Sequence, residues 1–223
     1  MSFTYEEKQI NSLFIDKIWH TLTTSDGVYM ADLDGNWDII ITKGTEFVAV
    51  SVNGIGTKAA EVPYVAGIES IGIALKPGVF LRDHKGKDIV NSQHILNEGN
   101  ISYVRISGQK FKIPDFETAE AFVQQLEDSR LLLTDLIVSN FSYKKGATSS
   151  RTLRRHVANT TGLSPHFFDQ IQRAQYATDL LKKGIPIAKA SSEAGYTDQA
   201  HMTKSLKRII GRTPTQIISD NKK

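Results

Sequence analysis

"GYTDQAHMTKSLKRIIGRTP" (195–214) is the stretch whose reading decides the fold of the C-terminal half. It opens with a glycine turn and a capping Thr197 or Asp198, runs through a short amphipathic helix and stops at Gly211. With Met202 at zero on a helical wheel, Leu206 and Ile209 lie within about 40° and Ile210 within about 80°. These form the stripe to be buried. Ala200, His201, Lys204, Lys207 and Arg208 fall on the other side, between about 140° and 260°, and Gln199 projects from the first turn. No acid follows Asp198 on this helix. Such a face suits nucleic acid: Gln pairs with adenine N6/N7, Lys or Arg with guanine O6/N7, and Ala200 or Thr203 can meet a thymine methyl. A lysine-rich face is also what a merely solvated helix presents, so the reading needs support from elsewhere in the chain.

That support lies upstream. On the same wheel "SSRTLRRHVANTTG" (149–162) turns Leu153 and Val157 inward, Arg151 and Arg155 outward, and Arg154 to the flank. Ser149 is positioned to cap this helix and Gly162 to end it. Ser164-Pro165 then starts a longer helix that runs to Gly184, with Phe167, Phe168, Ile171, Ala174, Ala177, Leu180 and Leu181 at helical spacing. A short helix over about 186–194 precedes the opening stretch, and Thr213-Pro214 begins a last turn. A short helix, a tight glycine turn and a second helix with donors on its free face is the helix-turn-helix arrangement. Two of them on one rigid helix would engage successive major grooves, roughly 34 Å apart.

The charge agrees. The chain has 223 residues and a formal net charge of +3, but residues 1–129 hold 11 Lys/Arg against 18 Asp/Glu, and residues 130–223 hold 16 against 6. The second part is thus +10 and the first −7. This asymmetry points the C-terminal part, and not the N-terminal part, at a polyanion.

Up to about residue 113 the texture is β. "WDIIITK" (37–43), "EFVAVSV" (46–52) and "SIGIALKPG" (70–78) are Ile/Val-rich runs separated by Asp34-Gly35, Asn53-Gly54 and Pro77-Gly78. A helical patch is expected within "KDIVNSQHILN" (87–97). Phe116, Ala119, Phe122, Val123 and Leu126 follow Pro114 at helical spacing and mark a connector. The expected fold class is α+β with two domains. Residues 1–113 form a β-rich, sandwich- or barrel-like effector-binding or oligomerisation domain, and 114–130 a helical connector. Residues 131–223 form an all-α DNA-binding domain with two helix-turn-helix motifs joined by a linker helix.

Residues 130–223 resemble the DNA-binding domain of AraC/XylS-type transcription regulators. "SSRTLRRHV…TGLSP", "QRAQYATDLLKKG" and "EAGYTDQAHMTKSLKRIIGRTP" carry the resemblance, in order and spacing, over about 75 residues. It implies base-facing positions at Arg151, Arg154 and Arg155 in the first motif and at Gln199, Ala200, His201 and Lys204 in the second, nearly the set the wheel selects. Arg154, on the flank of its helix, and Lys207 and Arg208 are assigned to phosphates. The sequence departs from the family where Tyr143 stands for the usual Ala within "SNFSYKKGATSS", and where Ser191 replaces another Ala. The N-terminal half is similar, more loosely, to the β-rich domain of one branch of these regulators, through "ADLDGNWDIII", "IGIALKPGVFL" and "FETAEAFVQQL".

Other classes lose ground. The absence of cysteine removes disulfides, thiolate metal sites and the cysteine chemistry of the family's alkylation-repair members, and fits a reducing interior. His20, His84 and His94 stand on separate segments without an H-x-H or H-E-x-x-H pattern, so no metal or cofactor is expected. The acids of "DLDGNWD" read as a turn with solvated carboxylates. No secretory signal or membrane-length apolar run is present, which leads to the expectation of a cytoplasmic protein without membrane contact. The expected function is a non-enzymatic, sequence-specific regulator of transcription that reads double-stranded DNA with helices 150–161 and 198–210. A small-molecule effector would be held among Trp19, Tyr29, Trp37, Tyr64 and Phe80. RNA polymerase, if the protein activates, and a second copy are the further partners. The alternatives are an architectural DNA binder without an effector and an enzyme domain fused to a DNA-binding one.

Overall fold

The structure, a computed structural model, describes residues 3–99, 102–141 and 151–221. Strands β1 (Phe3–Lys8), β2 (Ile15–Thr23), β3 (Gly27–Ala31), β4 (Asp38–Lys43), β5 (Val48–Asn53), β6 (Ala60–Tyr64), β7 (Glu69–Leu75) and β8 (Val79–Leu81) come first. Helix α1 (Gly86–Ile89), β9 (Gln93–Gly99), β10 (Tyr103–Ile106) and β11 (Gln109–Lys112) follow. Six strands form one antiparallel sheet in the order β1-β2-β7-β4-β5-β9, and β3 pairs with β6 in a separate ladder.

The period of two along these strands divides the sheet into two faces. Ile39, Ile41, Val50, Val52, Ile71, Ile73 and Leu75 are fully buried on one, in a continuous core with Phe122, Val123 and Leu126. Each contributes about 1.5–3 kcal/mol by leaving water. Asp38, Ile40, Ser70 and Ala74 alternate with them and line a cavity on the other face. Trp19 lies against that face over Gly72, where a Cβ would come within 1.9 Å of its ring.

The helical patch expected within 87–97 is half wrong. Only Gly86–Ile89 is helical; Asn91 takes a φ of 57° and Gln93 onward pairs with β5. A free sheet edge offers ladder hydrogen bonds, which outweigh a weak helical pattern.

Helix α2 (Ala119–Asp128) forms where a helical connector is expected and packs into the core of the β-rich part, opened by reciprocal bonds between Asp115 and Thr118. Strand β12 (Leu132–Thr134) then returns to pair with β8. The rest is helical: α3 (Leu136–Ser139), α4 (Arg151–Thr161), α5 (Pro165–Lys182), α6 (Ile187–Glu193), α7 (Gln199–Ile209) and α8 (Pro214–Asp220). Local chemistry sets the boundaries. Ser164, Asp198 and Thr213 accept from amides three residues on, and Gly162, Gly184, Gly195 and Gly211 take φ between 74° and 79°. The expected Ser149 cap, Tyr143 and most of "SNFSYKKGATSS" lie outside the described residues.

The two parts are joined by more than the chain. Leu33 N–H donates to Ile209 O (2.9 Å), Ala59 N–H to Arg208 O (3.0 Å), and Gln175 Nε2 to Leu33 O (2.5 Å). Gly86 sits so close to the end of α4 that a Cβ there would meet Thr160 O at 2.4 Å and Gly162 N at 2.5 Å.

Candidate functional site

Helix α7 buries Met202, Leu206, Ile209 and Ile210 to within 2 % exposure, and Tyr196 O–H fastens its middle to Ser205 Oγ at 3.0 Å. Asp198 Oδ1 accepts from the His201 amide (2.7 Å) and holds the first turn. Gln199, Ala200, His201, Lys204, Lys207 and Arg208 are all exposed. They are not equivalent. His201 Nδ1 meets Thr197 Oγ1 at 3.0 Å and its ring stands edge-on to Tyr196, which leaves Nε2 as the outward nitrogen. Lys207 Nζ donates to Gly211 O (3.2 Å), and the Arg208 guanidinium lies 4.8 Å over the Phe167 ring. Gln199 and Lys204 make no side-chain hydrogen bond or ion pair among the described residues and have their full donor capacity free.

Helix α4 presents Arg151, Arg154 and Arg155, exposed and likewise without an ion pair among the described residues. Its orientation is set by a residue that sequence reasoning missed. Asp135 Oδ1 accepts from the amides of Ile137 and Val138 at the start of α3, while Oδ2 accepts from Thr160 Oγ1 (3.0 Å) and lies 2.7 Å from His156 Nδ1. Partial burial would raise the Asp135 pKa, but the bonds from His156, Thr160 and the two amides outweigh it and hold the carboxyl below its ordinary value. An Asp directly before "LIV" is the available sequence signal, that of a helix cap. Helix α5 packs against α4 and α7 and buries Phe168, Ile171, Ala174, Ala177, Leu180 and Leu181. Being 18 residues long, it spans about 27 Å. Neither α4 nor α7 carries an Asp or Glu within its span.

The second feature is a cavity of about 920 Å³ on the outer face of the sheet. Trp19, Tyr29 and Tyr64 of the expected aromatic set line it. Trp37 does not: it is 2 % exposed and lies in the core, 6.4 Å from Phe80, the other member left outside. Asp34 and Asp38 also open on this space. Asp34 Oδ1 accepts from the Asn36 amide (2.9 Å) and its side chain is exposed, the expected solvated turn, at the mouth of the cavity. Desolvation by the surrounding protein raises the pKa of both acids, although Asp34 is exposed and Asp38 half-buried; the Asp34 charge raises Asp38 further, and Asp32 does the same to Asp34.

His84 and His94, read as separate, come together with Nε2 and Nδ1 2.9 Å apart. Partial burial and the neighbouring ring lower the His84 pKa. Among the described residues no group of three or more His, Cys, Asp or Glu is arranged to hold a metal ion, and no helix is long and apolar enough to cross a membrane.

A family model described as a helix-turn-helix domain matches residues 144–219, a domain of the AraC type. No curated protein sequence matches the chain. Among solved structures, ToxT from Vibrio cholerae O395 bound to (E)-4-(8-methylnaphthalen-1-yl)but-3-enoic acid superposes with a TM-score of 0.51. The match covers 99 % of this chain and 100 % of that one at 8 % identity. A second ToxT structure from Vibrio cholerae, in a P21 crystal form, gives 0.47 over 98 % of each chain at 10 % identity. The chain therefore has the two-part fold of ToxT, a β-rich part followed by a helical part that carries the helix-turn-helix domain.

Proposed function

We propose that this chain, with an AraC-type helix-turn-helix domain on a ToxT-like frame, is a sequence-specific DNA-binding regulator of transcription. In this reading α4 and α7 enter successive major grooves. Arg151, Arg155, Gln199, His201 and Lys204 reach base edges or adjacent phosphates, and Arg154, Lys207 and Arg208 contact phosphates. The observation that carries it is the pair of exposed, acid-free helix faces of α4 and α7, both packed against the same long helix α5. The partners of Lys207 and Arg208 at the C-terminal end of α7 fit their assignment to phosphates.

The regulatory half of the proposal rests on the walls of the cavity. The segments that line it around 29–34 and 53–60 are those whose Leu33 and Ala59 amides hold the C-terminal end of α7. A ligand that fits only one arrangement of these segments changes DNA affinity by that difference and no more. ToxT, of the same fold, is bound to a small aromatic acid in one of its structures, which supports testing small molecules here.

Selection from a random duplex pool by the full-length protein, followed by titration of the best duplex and a scrambled one at two salt concentrations, tests the reading. Enrichment of an asymmetric site with two clusters about ten base pairs apart is expected. Equal affinity for both duplexes, collapsing with salt, would replace it with a non-specific, architectural binder.

A further inference from the structure

The cavity lining mixes donors and acceptors, Lys17 and Lys58 among them, but the carboxylates of Asp34 and Asp38 and the Asn36 amide stand together on one stretch of chain. Asp34 and Asp38 are hydrogen-bond acceptors there, and among the described residues each has a single partner: the Asn36 amide for Asp34, and the Trp19 indole N–H, at a long 3.4 Å, for Asp38. Neither carboxylate has a Lys, Arg or His within ion-pair distance among the described residues. Lys17, a cation in the same wall, is held by Glu7 at 2.8 Å. Asn36 Oδ1, in the same lining, is buried and accepts no hydrogen bond among the described residues. Around these acceptors the walls are aromatic, with the Trp19 indole flat over Gly72 and Tyr64 folded over Gly27, 6.3 Å from Tyr29.

A buried acceptor without a donor is costly unless something supplies one, and Asn36 Oδ1 is such an acceptor beside the half-buried Asp38. A carboxylate ligand would meet like charge there. An ammonium or amidinium group offers several N–H donors and a positive charge at once, and aromatic faces attract cations and flat apolar bodies alike. The volume lies within the range of sites for small organic molecules.

We infer that the cavity takes a small organic cation, an amine or amidine on a flat apolar body, its charged end at Asp34, Asp38 and Asn36 and its body against Trp19, Tyr29 and Tyr64. This rests on the effector reading above and narrows it to one ligand class. A cation beside the two acids would oppose the burial and like charge that raise their pKa values.

The test uses the full-length protein and skeleton-matched triplets: 2-phenylethyl, 2-naphthylethyl, indolylethyl and n-octyl, each as the amine, the carboxylic acid and the alcohol. Binding is followed by calorimetry and, for the non-indole members, by the fluorescence of Trp19. The amines should bind at least about tenfold more tightly than the acids of the same skeleton. The Asp34→Asn/Asp38→Asn double variant should lose that preference. If the double variant does not fold, the ranking on the unaltered protein stands as the test. Acids or alcohols that match or exceed the amines overturn the cationic class and leave an effector cavity of another specificity. No binding by any member overturns both the class and the effector reading of the cavity. The DNA selection above is independent of either result.

Discussion

The Leu33 amide donates to the Ile209 carbonyl at 2.9 Å, so a loop of the β-rich part caps the C-terminal end of α7. Ala59 does the same for Arg208. The last carbonyls of a helix lack partners of their own, and here another part of the chain supplies them. Helices α4 and α7 both meet the β-rich part at a glycine: α4 through Gly162 against Gly86, and α7 through Gly211 against Met30 and Ala59. The stance of each helix is thereby tied to the β-rich part.

The Gly86 contact can be tested by adding one methyl group. A Cβ there would meet backbone atoms of Thr160 and Gly162, which cannot swing away as a side chain can. Gly86→Ala should lower stability by about 1–3 kcal/mol in urea unfolding. A loss under about 0.5 kcal/mol, the level of an ordinary surface change, would mean that α1 and α4 are not in contact in solution.

Asp135 should matter more than a surface acid. Asp135→Ala removes the α3 cap and the bonds to His156 and Thr160 together, at an expected cost of about 1–3 kcal/mol in chemical denaturation. Its folded pKa is depressed, so its contribution is present above the unfolded value, about 4, and is lost as pH falls through the folded one. Stability measured toward acid pH should therefore fall less steeply in Asp135→Asn than in the parent protein.

Asp38 should act in the opposite direction. Its folded pKa is raised by enclosure and by Asp34, with Asp16 adding and with Lys17 and the Trp19 bond opposing. The folded state then holds a proton that the unfolded chain releases near pH 4, and this contribution is lost as pH rises through the folded pKa. Thermal stability should decline between about pH 5 and 9, and Asp38→Asn should flatten that decline. An identical slope in the variant would place the titration elsewhere.

Lys204, with no internal partner among the described residues, separates base reading from phosphate binding. Lys204→Ala should cost about 1–3 kcal/mol and relax preference at one base pair. An equal loss on every duplex, with the salt slope reduced by about one, would make it a phosphate contact instead.

Much of the helical part is legible in the sequence because its signals are local. Ser164, Asp198 and Thr213 cap helices within three residues of themselves, and Gly162, Gly184, Gly195 and Gly211 stop or turn the chain where they stand. The burial of Met202, Leu206, Ile209 and Ile210 follows from helical period alone. The β-rich part was less legible wherever the outcome depended on a distant partner. Residues 93–97 became a strand because β5 had an open edge. Two near-identical aromatic signals, Trp19 and Trp37, went to opposite faces of the sheet, since composition says nothing about which way a side chain points.

Helices α5 to α8 with their caps and stops, the cationic faces of α4 and α7 and the acidic and basic halves of the chain are thus legible in the sequence. Each follows from propensity, capping or charge within a few turns. Only the tertiary structure decided that Asp34 and Asp38 face one cavity with Trp19, Tyr29 and Tyr64, and that His84 meets His94. It alone joined Leu33 and Ala59 to the end of α7. These are contacts between residues far apart along the chain, formed when the two parts pack and their unpaired amides and carbonyls find each other.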